Sequence, residues 1–312
     1  RYSGLDEDIA EAVPFQPSEE ILKAKRDGGL FEHLLEQFAR HSGLSGVQPK
    51  FMIRAAGKPS EHFDRRSPTI QSATHIVKLW DADEYPELAA NEFFCLTAAR
   101  AAGLKTPEFQ LSEDGGALII ERFDRMGSRY FGFEDFCVLN GLPSKDKYDG
   151  GYETRLFRRF RDYLPMTEFP EAHRDLFRLF VLNCAVRNGD AHLKNFGLTY
   201  ESVDAQANLA PVYDVITTAA YNPIDPMALT LEGSTRWPDA KRLTRLAQTR
   251  VGLSTRDVQE IFEMTGDAVA QIAKDMAKYF SRNEFAGIGE RMASAWESGV
   301  NDSLGLVKGP AV

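Results

Sequence analysis

The sequence predicts an α+β protein in two lobes, a small β-rich N-lobe with one main helix over 1–124 and a larger, mostly α-helical C-lobe over 125–312. Three observations lead there. Short segments rich in β-formers crowd the first third, helical periodicity takes over after about residue 125, and one strong helical pattern lies between the early strands. Strands are expected at 50–56 and in "THIVKLW" (74–80), where β-branched and aromatic residues partly alternate with polar ones. In "PELAANEFFCLTAARAAG" (86–103), Leu88, Phe93 and Leu96 recur near helical spacing, Pro86 suits a first helical position and Gly103 the residue just past the end. "EFQLSEDGGALIIERF" (108–123) then reads as two strands joined at a glycine-containing turn.

In the second lobe, helical periodicity marks the aromatic and Arg-rich stretch 152–162, the apolar run within 171–186, "STRDVQEIFEM" from Ser254 and "DAVAQIAKDMAKYF" from Asp267. Ser254 with Asp257 makes an acidic capping box. "GLPSKDKYDGGYE" (141–153) and "TYESVDAQAN" (199–208) read as exposed loops, and no internal repeat or low-complexity segment is present.

Composition narrows the class. A chain of 312 residues, 43% apolar and 27% charged, is ordinary for a globular protein. It has no leader-like start and no apolar run near the roughly 18–20 residues that span a bilayer, so a cytoplasmic location is expected. Cys95, Cys137 and Cys184 lie far apart in apolar contexts, which suits buried reduced thiols, and the six His residues form no zinc-binding pair. A formal charge of −9 repels a phosphate backbone, so autonomous nucleic-acid binding would need a local basic patch, and no such patch dominates.

The chemistry concentrates in "NGDAHLKN" (188–195), which follows the apolar run "LFRLFVLNCAV". Asp190 and Asn195 stand at the offset of the D-x-x-x-x-N of a phosphoryl-transfer loop, where the Asp handles the nucleophile and the Asn holds Mg²⁺. Asp214 in "LAPVYDVITT", expected at the end of a short apolar strand, supplies a second metal ligand. Lys78, within a strand, is the cation for the α- and β-phosphates of ATP, and Glu92 on the following helix is its carboxylate partner. "LIIERFD" (118–124) runs out where a connection between lobes would hold adenine. There Glu121 and Phe123 would offer backbone groups, and Asp124 could reach the ribose. His192 is expected to position the loop through a hydrogen bond rather than move protons, and Lys194 to steady the transferring phosphate. Each part alone is weak, because a strand-edge lysine is usually solvated and D-x-x-x-x-N pairs are common. Five parts in one order on the right elements are a strong signal.

A phosphate-covering loop should precede the Lys strand, and "HSGLSGVQPK" (41–50) stands there. It is neither a Walker A motif nor a full G-x-G-x-x-G, and "GIGERM" (287–292) also fails the dinucleotide pattern. Gly43 and Gly46 would let backbone turn closely over phosphates, with Val47, Gln48 and Lys50 as contacts. The locally basic "STRWPDAKRLTRLAQTR" (234–250) is either a solvated helix face or a substrate-docking segment.

"SGVQPK", "THIVKL", "ERFDR", "NGDAHLKNFGL" and "APVYDV" together resemble the HipA-like Ser/Thr kinases, toxins of bacterial type II toxin–antitoxin systems, over roughly residues 40–240. The resemblance implies a two-lobed protein-kinase-like fold with ATP and Mg²⁺ as cofactors. It makes Asp190 the catalytic base, Asn195 and Asp214 the metal ligands and Lys78 a nucleotide contact. It also implies phosphorylation of an aminoacyl-tRNA synthetase, and an antitoxin with a DNA-binding helix-turn-helix. Only about 40 residues precede the Gly-rich loop, which resembles the short HipT-like type in which a separate small protein supplies an N-terminal subdomain. The family loop commonly begins with an autophosphorylated Ser. Gly43 stands at that position here, so Ser45, or else Ser42, must take over. Phosphate there would add negative charge beside ATP and displace the loop. Two other readings are a small-molecule phosphotransferase of the aminoglycoside or choline kinase type, which usually carries His where Asn188 stands, and a catalytically silent kinase-like partner of a repressor.

Overall fold

The computed structural model describes residues 50–53, 74–79, 85–126 and 129–306. The candidate phosphate loop with Gly46, Val47 and Gln48, and the candidate autophosphorylation sites Ser42 and Ser45, lie outside the described residues, and of Lys50 only the backbone belongs to them. In chain order the elements are β1 (Lys50–Ile53), β2 (His75–Leu79), α1 (Leu88–Ala101), β3 (Phe109–Leu111), β4 (Ala117–Glu121), β5 (Arg125–Met126), β6 (Arg129–Tyr130) and β7 (Gly132–Asp135). There follow α2 (Phe136–Leu139), α3 (Arg159–Tyr163), α4 (Pro170–Ala185), β8 (Gly197–Tyr200), β9 (Asn208–Leu209), α5 (Ala240–Leu246), α6 (Thr255–Phe280) and α7 (Ala286–Ser298).

The first sheet is antiparallel in the order β1-β2-β4-β3, with Lys78 paired to Leu118 and, on the other side, to Lys50. Ala117, Leu118, Ile119 and Ile120 are buried in succession, which a strand allows only when both of its faces are covered. Helix α1 packs on this sheet and, on its other side, against α6. It is therefore buried nearly all round, at Ala89, Ala90, Asn91, Glu92, Phe94, Cys95, Leu96, Ala98 and Ala99. Its small residues allow close approach, and Phe94 meets Tyr279 and Phe280 of α6 with ring centroids 5.5 and 6.2 Å apart. The helix ends as expected, with Gly103 at φ 78° and the amides of Gly103 and Leu104 returning to the carbonyls of Arg100 and Ala99. Its start differs. Glu87, at φ 61°, precedes the first helical residue, and the Pro86 carbonyl instead accepts from the Tyr221 hydroxyl at 3.0 Å.

A second sheet, β7-β8-β9, and the helices build the larger lobe, and with α1 and the first sheet they complete the two-lobed kinase-like architecture. The capping box of α6 is present, with Ser254 and Asp257 exchanging side-chain-to-backbone bonds. Two expected loops turn out otherwise. Residues 152–158 form a π-helical turn that buries Tyr152, whose hydroxyl donates to the Ala191 carbonyl at 2.8 Å, so the end of the 141–153 segment is a support rather than a solvated loop. In 199–208 both ends belong to strands β8 and β9, which leaves a short tip carrying exposed Val203. The three cysteines are free and buried, and burial pushes the Cys95 and Cys184 thiols up to about 12. Among the described residues no helix is long and apolar enough to cross a membrane.

Candidate active site

Lys78 enters from the middle of β2 and is buried, as is Glu92 on the second turn of α1, and the ammonium lies 2.5 Å from Glu92 Oε1. A second carboxylate, Asp214, also accepts from this ammonium. Burial opposes the charge of Lys78, but the fields of Asp214 and Glu92 outweigh it and hold the amine protonated beyond the ordinary lysine range. The same Glu92 Oε1 accepts the backbone N–H of Asp214 at 3.2 Å, so one carboxylate orients both the cation and the chain that carries the acid.

Asp214 stands at φ 51°, in the left-handed region, on irregular backbone rather than at the end of the expected strand, since β9 stops at Leu209. Such a conformation costs a non-glycine residue about 1–2 kcal/mol. It persists because both backbone groups are held, the N–H by Glu92 and the carbonyl by the Asn195 amide at 3.2 Å.

Asn195 gives its Nδ2 to that bond, while its Oδ1 is buried with no hydrogen-bond partner. A buried acceptor left open costs about 1–3 kcal/mol unless something fills it, and a cation does so directly. Among the described residues no group of three or more His, Cys, Asp or Glu side chains could hold a metal. A divalent ion here would take the Asn195 oxygen, the Asp214 carboxylate, phosphate oxygens and water. Mg²⁺ accepts such a set, so the residues present fit it.

Asp190 follows α4 on a tight turn. Arg187 stands at φ 54°, Asn188 Oδ1 accepts the Asp190 N–H at 3.2 Å, and the Gly189 N–H goes to the Thr218 hydroxyl at 2.6 Å. The Arg187 guanidinium anchors this turn to the C-terminal segment through Ser303, the Ser298 carbonyl and Asp302, with its face over Trp237. A side chain at Gly189 would run into Asp225 and the Pro226 carbonyl, which is why glycine is needed there. Asp225 is a neighbour of Asp190 that sequence reasoning missed. Burial raises its pKa, and the charge of Asp190 adds to the rise.

Several expected contacts are redirected. His192 does not make the loop-positioning hydrogen bond expected of it, since its Nδ1 is buried without a partner and its Nε2 lies 3.9 Å from Asp190. Its ring meets the edge of Tyr148 at 5.1 Å, and burial keeps it neutral. Lys194 does not stand free beside a transferring phosphate, because its ammonium is 2.6 Å from Asp135, the residue that also caps α2. Asp124 pairs bidentately with Arg122, at 2.8 and 2.5 Å, instead of projecting toward a ribose. The Glu121 N–H goes to the Glu108 carbonyl and the ring of Phe123 packs on Phe133 and Tyr213, contacts that use neither the Glu121 carbonyl nor the Phe123 N–H expected to meet adenine. Sequence reasoning also missed Tyr148, whose hydroxyl donates to Asp190 Oδ1 at 2.6 Å, and Asn91. The Asn91 side chain accepts the Thr217 N–H at 2.8 Å and donates to the Thr217 carbonyl at 3.1 Å. Only the adjacency of Asn91 to Glu92 could have drawn attention to it.

A buried lysine–glutamate pair on the sheet and helix of a small lobe, facing an asparagine–aspartate pair on a large one, defines the kinase-like class of two-lobed folds. The chain belongs to the HipA-like C-terminal domain family, whose profile matches residues 42–273. Two proteins of Sinorhizobium fredii are similar to it. The one named "Putative kinase Y4mE" is 28% identical over 67% of this chain and 53% of its own length. The one named "Putative kinase Y4dM" is 30% identical over 70% of this chain and 54% of its own. The chain thus spans about half the length of these relatives. In fold it is similar to HipA of Shewanella oneidensis, solved with HipB and operator DNA, at TM-score 0.62 and 19% identity, covering 85% of this chain and 65% of that one. The Helicobacter pylori proinflammatory kinase CtkA matches at TM-score 0.51 and 13% identity, covering 74% of this chain and 88% of that one.

Proposed function

We propose that the chain is an ATP-dependent serine/threonine protein kinase acting as the toxin of a type II toxin–antitoxin system, with an aminoacyl-tRNA synthetase as its target. The observation that carries the kinase reading is the Lys78–Glu92–Asp214 cluster beside the open amide oxygen of Asn195. In this reading Lys78 neutralises the α- and β-phosphates, and Asn195 and Asp214 hold Mg²⁺. Mg²⁺ would supply charge neutralisation to the phosphates when bound. The acceptor oxygen bonds to the γ-phosphorus as the bond to the β–γ bridging oxygen breaks, and the hydroxyl proton passes to Asp190. Lys194 acts through Asp135, by fixing the loop that carries Asn195.

The toxin role and a DNA-binding antitoxin partner are drawn from the HipA likeness, since that protein was solved with HipB and operator DNA. Self-modification at Ser45 or Ser42 belongs to the same reading. Nucleic acid would be met only through the antitoxin, in keeping with the formal charge of −9.

The test incubates the chain with γ-labelled ATP and cell extract beside Asp190→Asn and Lys78→Met. Label on a protein, lost in both variants, is the expected result. Label confined to small molecules would make the chain a small-molecule phosphotransferase. No label with any chain would leave a silent partner.

A further inference from the structure

The segment that precedes the buried π-helical turn brings one side chain onto the proposed base. Tyr148 is half-exposed, and its hydroxyl reaches Asp190 Oδ1 at 2.6 Å. The contact is built rather than incidental. Leu193 in the catalytic loop donates its N–H to the Lys147 carbonyl at 3.1 Å, the Tyr148 ring meets His192 edge-on, and the Lys147 ammonium lies 5.0 Å from the ring centroid. The other oxygen of Asp190, Oδ2, lies 3.9 Å from His192 Nε2, beyond hydrogen-bond distance, so Tyr148 occupies one of the two carboxylate oxygens. Burial and the neighbouring Asp190 charge hold the phenol protonated, as a donor to the carboxylate.

A general base takes a proton only from a hydroxyl within about 2.6–3.2 Å. Tyr148 already stands at that distance, where an acceptor hydroxyl has to come. We propose that Tyr148 gates the acceptor site, its hydroxyl holding the acceptor's place on Asp190 Oδ1 so that a Ser or Thr hydroxyl reaches that oxygen only by displacing it. The gate rests on the kinase reading above. A peptide segment brings contacts on either side of its hydroxyl and can drive the exchange, whereas a lone water brings none. The device therefore restrains hydrolysis of ATP, in which water oxygen bonds to the γ-phosphorus, the β–γ bridging bond breaks and the proton passes to Asp190.

The test compares wild type with Tyr148→Phe, which keeps the ring and its packing on His192. Release of ADP and phosphate from Mg-ATP is followed without acceptor, and labelling of a degenerate Ser/Thr peptide pool is followed in parallel. Loss of one charge-assisted hydrogen bond at a half-exposed site is expected to raise ATP hydrolysis about tenfold, with KM for ATP unchanged. Equal hydrolysis by both chains, with peptide labelling intact, overturns the gate alone. A fall in hydrolysis together with a raised KM for ATP also overturns it, since Tyr148 would then be only a support for the loop. Phosphate found on Tyr148 itself overturns it as well, by making the residue an acceptor. If neither chain turns over ATP or labels a peptide, the kinase reading falls and the gate with it.

Discussion

Replacing Asn91 by alanine tests whether helix α1 and the Asp214 segment are joined by one side chain. Asn91 is fully buried, and both ends of its amide are spent on a single distant residue, with Oδ1 taking the Thr217 N–H at 2.8 Å and Nδ2 giving to the Thr217 carbonyl at 3.1 Å. Thr217 is equally buried, its hydroxyl taken by the Trp296 indole N–H at 2.7 Å and approached by Cys95. In Asn91→Ala a backbone donor and a backbone acceptor lose their partner where no solvent reaches them. At about 1–3 kcal/mol for each stranded group, the loss comes to about 2–6 kcal/mol, a large part of the roughly 5–15 kcal/mol that holds a typical domain together. Urea unfolding followed by circular dichroism measures it, as a fall in midpoint at unchanged slope. Phosphoryl transfer should fall mainly in kcat, because Glu92 and Asp214 would lose their shared reference point. A stability loss below about 1 kcal/mol would refute the reasoning, since water or a repacked side chain must then satisfy Thr217.

Gly189→Ala should cost about 1–3 kcal/mol and most of the transfer activity, because the added methyl would overlap Asp225 and Pro226 and push Asp190 off its turn; thermal unfolding and labelled ATP check it. Lys194→Met and Asp135→Asn should depress transfer to a similar degree, as both break the 2.6 Å pair, and a loss confined to Lys194→Met would restore a direct phosphate role. His75 is buried, and burial holds its pKa at about 4, so the unfolded chain takes up its proton first as pH falls below about 6.5. Stability should therefore be lost between pH about 6.5 and 4, by up to about 3 kcal/mol for this group; His75→Gln should flatten part of that slope in denaturation at pH 7 and pH 5.

Lys78, Glu92, Asp190 and Asn195 were legible as candidates because each sits at a fixed short offset from a regular element. Lys78 lies inside a β-pattern, Glu92 one turn into a helical one, and Asp190 and Asn195 bracket a single turn. What the sequence concealed are partners chosen in three dimensions. Lys194 and Asp135 lie 59 residues apart, and nothing at either position announces the other. Asp124 finds Arg122 two residues away, a local competitor that a contact imagined with a ligand did not weigh. Asp214 looked like a strand end because "LAPV" is apolar, but Val212 N–H bonds to the Lys105 carbonyl at 2.8 Å, and that tertiary bond replaces the ladder a strand would need. Tyr148 was read as loop because Gly, Lys and Asp surround it, and only the fold reveals what lies beneath its ring.

The burial of α1 nearly all round also bears on how the proposed kinase would be controlled. In kinases switched by swinging this helix, the lysine–glutamate pair is made and broken as the helix moves. Here Phe94 is wedged against α6, the Tyr279 hydroxyl holds Glu87 at 2.9 Å and Asn91 is bound to Thr217, so moving the helix would break all of these contacts together. In the proposed kinase the lysine–glutamate pair would thus stay made, and control would have to act elsewhere than on this helix.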